Sequence, residues 1–305
     1  MKAIIISLNS VIDHHYYFNE FICNKENFAT KKISFAAGKG VNVAKTLKVL
    51  NVPHELFLLL GEENKDEFNA LLKNDSISAK TFYAKGKTRE NISIHANNIC
   101  ETRLCNNTFK ASDEECEALL NAAIKEASGD DDNVIVISGR LPSGISKEHI
   151  IKTIKNFKEK NKKIIIDSAS FNLDDYKEIS PYLIKPNEEE IKLFGKTMEE
   201  SIKNLLLAGI KNIAVSQGEK GIELHSKDSV MISVPQKIIP LSTVGAGDSS
   251  IAGFVCGLVN GFSMEKTLKL AVSCGTANCL SLGGATPTKE NIKLCFQNLN
   301  FQYKT

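Results

Sequence analysis

The sequence predicts an α/β fold: a mainly parallel central sheet covered by helices on both faces, a three-layer α/β/α arrangement, with a small β layer beside it. Three observations carry this reading. From residue 112 onward, short Ile- and Val-rich runs alternate with helical stretches, the order of a parallel sheet wound with crossover helices. Those runs, such as Val134-Ile135-Val136-Ile137 and Ile164-Ile165-Ile166, are apolar throughout. A strand buried on both faces reads that way, whereas a half-exposed one alternates. Two early segments, about 13–35 and 81–109, are instead rich in aromatic and β-branched residues with little helical periodicity, and these predict the small β layer.

In chain order, Ala3-Ile4-Ile5-Ile6 reads as a buried first strand, and Tyr16-Tyr17-Phe18 and Ile33 to Phe35 as strands of the outer layer. Gly38-Lys39-Gly40 opens a helix that carries Val43, Ala44, Leu47 and Leu50 on one side. The run 56–60 is a strand and about 64–73 a helix. Alternation in 91–95 and a second run at 99–104 flank Asn97-Asn98, a hairpin signal weaker than Asn-Gly. Ser112 with Glu115 three residues on is a capping box that opens a helix to about Ala127. Helices follow at 146–160, 187–194 and 199–208, with strands at 182–184 and 213–215. The C-terminal third carries helices from Ala246, Met264 and Lys289. The expectation is one large α/β domain over 1–305, with the β layer assembled from its early segments.

Composition narrows the function. The chain has 305 residues with 38 basic and 36 acidic side chains, a formal charge of +2. That balance speaks against a nucleic-acid binder, which shows a basic excess. No apolar run approaches the roughly 20 residues that span a bilayer, so no membrane partner is expected and a cytoplasmic location is the default. Eight cysteines lack CxxC spacing and read as reduced, mostly buried thiols.

Two common nucleotide signatures fail. The P-loop endings Gly86-Lys87-Thr88 and Gly195-Lys196-Thr197 have Thr81 and Glu190 where the first glycine belongs. Gly38/Gly40 and Gly245/Gly247 lack the third glycine of a dinucleotide fingerprint, having Val43 and Ser250 instead. What remains is Thr243-Val244-Gly245-Ala246-Gly247-Asp248 running into a helix. Small residues let the backbone approach a ligand, and the free N–H groups and positive dipole end of the helix make an anion site at Gly245, Ala246 and Gly247. A carboxylate beside an anion site repels phosphate. Asp248 therefore reads either as a helix cap or as a general base for phosphoryl transfer, taking the proton of an attacking hydroxyl.

AAGKGVNVAK (36–45) together with STVGAGDSSIAG (242–253) resembles the PfkB/ribokinase family of carbohydrate kinases, and the resemblance covers nearly the whole chain. Further matches fall in the same order: SLNSVID (7–13), TREN (88–91), SGRLPSG (138–144), KPN (185–187) with Glu190, and SQGEKG (216–221). Within the family, the AAGKGxNVAK form and the TRxN element are most similar to 1-phosphofructokinases and tagatose-6-phosphate kinases. The resemblance implies a ribokinase-like fold with a β lid and an ATP- and Mg²⁺-dependent kinase of a phosphorylated ketohexose. The acceptor implied is fructose 1-phosphate, with tagatose 6-phosphate as the alternative and a non-catalytic sensor of sugar phosphate or nucleotide as a further one. A homodimer paired through the lid is also implied.

By the same resemblance, Asp13 grips sugar hydroxyls. Gly38, Lys39 and Asn42 form the sugar-phosphate-binding helix start, and Arg89 reaches the phosphate already on the substrate through paired bonds. Ser138 and Gly139 end a strand at the sheet edge where α/β sites form. Lys185, Asn187 and Glu190 serve ATP phosphates, with Glu190 meeting Mg²⁺ through water. Asn187 and Glu190 also have the spacing of a helix cap. Ser216, Gly218, Gly221 and Asn278 belong to the nucleotide side, and Asp248 is the base. Several positions depart from the family pattern: Ser10 for Pro, Arg140 for a small residue, Gln217 for Leu and Ser250 for an apolar residue. Asp167-Ser168-Ala169-Ser170 stands in place of DTSG, and Thr102-Arg103-Leu104-Cys105 replaces a TEIN-like lid run. None removes a catalytic group, but Arg103 and Arg140 bear on which sugar phosphate fits.

Overall fold

A strand whose two faces are both covered must divide its side chains between two cores, and the first strand does so. Ile4 and Ile6 of β1 (Ala3–Ser7) enter one apolar cluster, and Ala3 and Ile5 enter the other. The computed structural model describes residues 1–107, 109–129, 132–281 and 285–304. Among these, strands group into a ten-stranded and a four-stranded sheet.

The N-terminal half supplies β1, β2 (Val11–Phe18), β3 (Lys31–Ala37), α1 (Lys39–Val49), β4 (His54–Gly61), α2 (Lys65–Asn74), β5 (Lys80–Ala84), β6 (Arg89–Ala96) and β7 (Ile99–Cys105). Then come α3 (Asp113–Ala127), β8 (Val134–Ser138), α4 (Lys147–Glu159), β9 (Lys163–Asp167), α5 (Leu173–Ile179), β10 (Leu183–Ile184), α6 (Met198–Leu207) and β11 (Asn212–Ser216). The chain closes with β12 (Ile222–His225), β13 (Val230–Val234), α7 (Ala246–Val259), α8 (Met264–Asn278), α9 (Lys289–Gln297) and β14 (Asn300–Lys304).

The large sheet runs β14-β13-β12-β11-β10-β9-β8-β1-β4-β5. All pairs from β5 to β11 are parallel, and the three pairs beyond β11 are antiparallel. Helices α3, α4, α5 and α6 pack on one face through Leu119, Ile154, Tyr176 and Leu205, and α1, α2, α7 and α8 on the other through Leu47, Phe68, Phe254 and Leu268. Each fully buried large apolar side chain contributes about 1.5–3 kcal/mol relative to exposure.

The four-stranded sheet has the order β3-β2-β6-β7. Strand alternation puts Asp13, Phe35, Asn91 and Cys105 at opposed positions on one face, and His14, Ile92 and Leu104 on the other. The expected β-layer segment 81–109 needs correction at its start: β5 pairs with β4 at the edge of the large sheet. The reason is burial, since Phe82 stacks on Phe57 and packs on the main core. Position 108 of that segment lies outside the described residues.

Three further corrections concern elements. The helix expected at 187–194 is a turn closed by the Asn187–Glu190 pair, followed by one short 3₁₀ segment, Ile191–Phe194, whose Ile191 and Phe194 pack on the core. Helix α5, opened by an Asn172/Asp175 capping box, went unpredicted because it spans only seven residues. Strands β12, β13 and β14 were likewise unpredicted. β12 is short, β13 alternates buried and half-buried side chains, and β14 lies mostly exposed at the sheet edge, so none carries the apolar run of a central strand.

Candidate active site

Carboxyl ends of neighbouring parallel strands and the starts of two helices converge on one place. Ser138 ends β8 and Asp167 ends β9, and the two are register partners. Lys185 directly follows β10. Lys39 and Asn42 come from the first turn of α1, and Asp248 from the first turn of α7. Gly38 caps α1 with φ 114°, and a Cβ there would lie 3.0 Å from the Ser10 backbone, so the helix can begin against the first strand's loop only at glycine.

Asp248 is buried and accepts a 2.8 Å hydrogen bond on Oδ2 from Asn42 Nδ2. Burial pushes its carboxyl up to about 6, and the nearby Asp167 carboxylate adds to this, against the opposing pull of Lys39, Asn42 and Lys185. Lys39 Nζ stands 3.1 Å from Asp167 Oδ1, and Lys185 Nζ 3.9 Å from the same oxygen. Burial alone would lower the Lys39 ammonium, but Asp167, Asp248 and Glu190 outweigh it and hold the amine in its charged form. Two lysines and two aspartates thus share one pocket floor. Asp167 is the member that residue-by-residue sequence reading missed. Its signals were a carboxylate ending an Ile-rich strand and the first position of the DTSG-like run at 167–170.

The turn before α7 is built as an anion cradle. Gly245 adopts φ 81°, a left-handed conformation that suits glycine. The Ala246 N–H donates to Thr243 O at 3.3 Å, so among the three turn residues it is partly engaged. The amides of Gly247 and Asp248 have no carbonyl acceptor within the helix, as the first turn requires. A Cβ at Gly247 would sit 3.1 Å from Lys185 Nζ, so the missing side chain admits that ammonium to the cradle.

From this cradle a cleft of about 420 Å³ extends outward. Ala246 and Gly247 line its inner end, Ser216, Gly218 and Gly221 one wall, and Gly275, Thr276 and Cys279 the other. A Cβ at Gly221 would fall 2.0 Å from Ser233 O, which fixes glycine where β12 begins. Asn278 needs correction. It is fully buried, donating to Val244 O and accepting from Thr286 N, so it braces the segment before the cradle and does not line the cleft. Asn187 and Glu190 form the reciprocal pair their spacing allows: Asn187 Oδ1 accepts from the Glu190 N–H at 2.8 Å, and Glu190 Oε2 accepts from the Asn187 N–H at 3.0 Å.

On the other side of the pocket floor, the small sheet presents Asp13, Arg89 and Arg103. Arg103 donates to Asp13 Oδ2 at 2.6 Å, and Asp13 Oδ1 is buried with no partner. Burial lowers the Arg89 pKa against the pull of Asp13 and Cys105, and the Arg103 and Arg140 guanidiniums lower it further. Lys39 and Arg89, both assigned to substrate phosphate from the sequence, are therefore divided by the structure: Lys39 belongs to the Asp167–Asp248 floor and Arg89 to the arginine group. Ser138 Oγ, Asn42 Oδ1 and Asp167 Oδ2 are further buried polar atoms without partners. Such atoms are costly unless a ligand satisfies them.

The chain matches the model of the pfkB family carbohydrate kinases over residues 8–291. It is 33% identical over 283 residues to a 1-phosphofructokinase of Borreliella burgdorferi, covering 90% of this chain and 91% of that one. To the 1-phosphofructokinase of Escherichia coli K12 it is 28% identical over 279 residues, with 89% of each covered. Among solved structures, phosphofructokinase-2 of Escherichia coli in complex with fructose-6-phosphate superimposes with a TM-score of 0.86 at 21% identity, over 97% of this chain and 98% of that one. Ribokinase of Thermotoga maritima gives 0.79 at 20% identity, over 98% and 100%. The fold is thus ribokinase-like, and the chain belongs to the pfkB family of carbohydrate kinases.

Proposed function

We propose that this kinase transfers the terminal phosphoryl group of ATP to a phosphorylated ketohexose, converting fructose 1-phosphate to fructose 1,6-bisphosphate. The observation that carries the reading is the buried Asp248, placed between the anion cradle with its outer cleft and the arginine-rich small sheet. Relatives that match over most of their length and are named 1-phosphofructokinase support the choice of acceptor.

ATP lies in the cleft with its phosphates on the Gly245–Gly247 turn and Lys185. The sugar phosphate lies under the small sheet, its hydroxyls on Asp13 and its phosphate toward Arg89. Asp248 takes the proton of the acceptor hydroxyl. The oxygen bonds to the terminal phosphorus as the bond to the ADP oxygen breaks, and the Gly247 and Asp248 amides steady the charge on the moving group. The oxygens at the floor suit a hard cation: Asp167 Oδ2 is buried without a partner, and Glu190 has one oxygen committed to Asn187 and one open. These two residues would hold Mg²⁺, Glu190 through water, and the ion would offset charge on the ATP phosphates.

The small sheet acts as a lid that excludes water from the site, and pairs of chains associate through it. Its outer face carries Tyr16, Ile92, Ile94 and Leu104, with Leu104 exposed, while polar Asp13, Asn91 and Ser93 are buried. These side chains make an apolar stripe on a face that also carries His14, Ser34, Glu90 and Thr102, and such a mixed surface suits a protein contact. No helix among the described residues is long and apolar enough to cross a membrane.

The test is ADP release with fructose 1-phosphate, tagatose 6-phosphate, fructose 6-phosphate and unphosphorylated fructose. The expected result is the highest kcat/KM with fructose 1-phosphate. Equal turnover of fructose and its phosphates would overturn the substrate assignment.

A further inference from the structure

Three arginines and one aspartate meet where the small sheet faces the pocket floor. Register places Asp13 beside Asn91, Arg89 beside Val11, and Arg103 beside Ser93, so all three charged groups project from one face. Arg140 reaches the same neighbourhood from the loop after β8, where Gly139 takes φ 97° and packs near Lys39. A guanidinium has five donors in a planar fork. Arg103 spends one of its terminal nitrogens on Asp13, and its Nε is buried with no partner. Arg89 Nε is also buried without a partner, and its one hydrogen bond is a 3.5 Å contact to Asn106 O. Asp13, only 6% exposed, leaves Oδ1 unpaired. Donors and acceptor are thus short of partners at one spot.

Charge points the same way. One carboxylate among three guanidiniums leaves two positive charges in formal count. A phosphate monoester near neutral pH carries about two negative charges. An unphosphorylated sugar would leave that excess, carried by the half-buried Arg89 and Arg103 and the exposed Arg140, without a matching anion.

We infer that Arg103 is a specificity-determining residue that binds the substrate's own phosphate. In the free enzyme it closes on Asp13; when substrate enters, its guanidinium turns to the phosphate beside Arg89 and Arg140, and Asp13 is released to the sugar hydroxyls. The exchange of one anion for another couples recognition of the phosphate to exposure of the hydroxyl-binding carboxylate. This rests on the sugar-phosphate reading above and names a residue that reading does not require.

The test compares wild type with Arg103→Gln and Arg103→Lys, using fructose 1-phosphate and fructose as acceptors. Arg103→Gln should raise KM for fructose 1-phosphate about 10- to 100-fold, the scale of losing a charge-assisted paired contact. It should leave kcat within about 3-fold and KM for ATP unchanged, because phosphate binding is made equally in ground and transition states. With fructose, kcat/KM should hold or rise. Arg103→Lys, which keeps the charge without the fork, should fall between. A merely structural pair predicts the same loss on both acceptors with a lower melting temperature, and that result, or an unchanged KM for fructose 1-phosphate, overturns the inference. Calorimetric binding of fructose 1-phosphate keeps the two readings apart. Binding that Arg103→Gln weakens, without ADP release by wild type, sinks the proposed reaction and supports Arg103. Turnover that Arg103→Gln leaves intact does the reverse. If wild type neither binds nor phosphorylates any of the three sugar phosphates, both fall.

Discussion

Asp248 is held in an electrostatic conflict for which the proposed base role gives a reason. Its carboxyl is buried beside Asp167, and both effects raise its pKa, to about 6. A folded-state pKa above the ordinary 3.8 means the folded protein holds this proton more tightly than the unfolded chain. The stability so conferred is complete below the ordinary value and is lost as pH rises through about 6. At neutral pH the ionised base is therefore a burden on the fold. Asp248→Asn should lower kcat on the order of 10²–10⁴-fold, the usual contribution of a positioned base, while its melting temperature at pH 7.5 stays level or rises. Steady-state kinetics and thermal melts on one preparation check both; retained activity removes Asp248 from the chemistry. Wild-type kcat/KM should also decline as pH falls through about 6, and the Asn variant should lack that acid limb. The motif made Asp248 legible in the sequence. Asp167 was not legible, because its meeting with Lys39 joins residues 128 positions apart.

At the scale of elements, helix α7 carries the cradle, and its placement depends on contact with α8. A Cβ at Gly253 would lie 2.5 Å from Ala271 Cα, and one at Gly257 would lie 2.3 Å from the Thr267 hydroxyl. These small residues let the two helices approach until their backbones nearly touch. Gly253→Ala should destabilise by about 1–3 kcal/mol through overpacking. Gly129→Ala, with open space around the new methyl, should change stability by less than about 0.5 kcal/mol. Urea unfolding midpoints distinguish them, and an unchanged midpoint for Gly253→Ala would mean that the contact with α8 does not hold the helix in place. Helix starts were readable from the Ser112–Glu115 pair and from the glycine turn at 245–247. Strand β5 was misplaced because Thr81, Phe82 and Tyr83 have the composition of either sheet, and contact with Phe57 settled the matter.

For the whole molecule, the proposed function divides the work between the small sheet and the α/β body. On the proposed mechanism the body supplies the base, the cradle and the cleft, and the small sheet supplies Asp13, Arg89 and Arg103. If chains pair through the outer face of that sheet, Leu104→Lys should shift the species seen by light scattering from dimer to monomer. Melting temperature should then become independent of protein concentration. A wild-type monomer at the concentrations assayed would exclude the pairing.

The sequence alone determined the layered α/β body, the helix that opens at Ala246 and the family, because these rest on local periodicity, capping and contiguous motifs. Tertiary structure decided which charges share a pocket. Asp167 joined Lys39 and Lys185, Arg103 closed on Asp13, and Asn278 withdrew behind the cleft wall. Those outcomes depend on burial and on distances of a few ångströms between residues far apart in the chain, which no local pattern encodes.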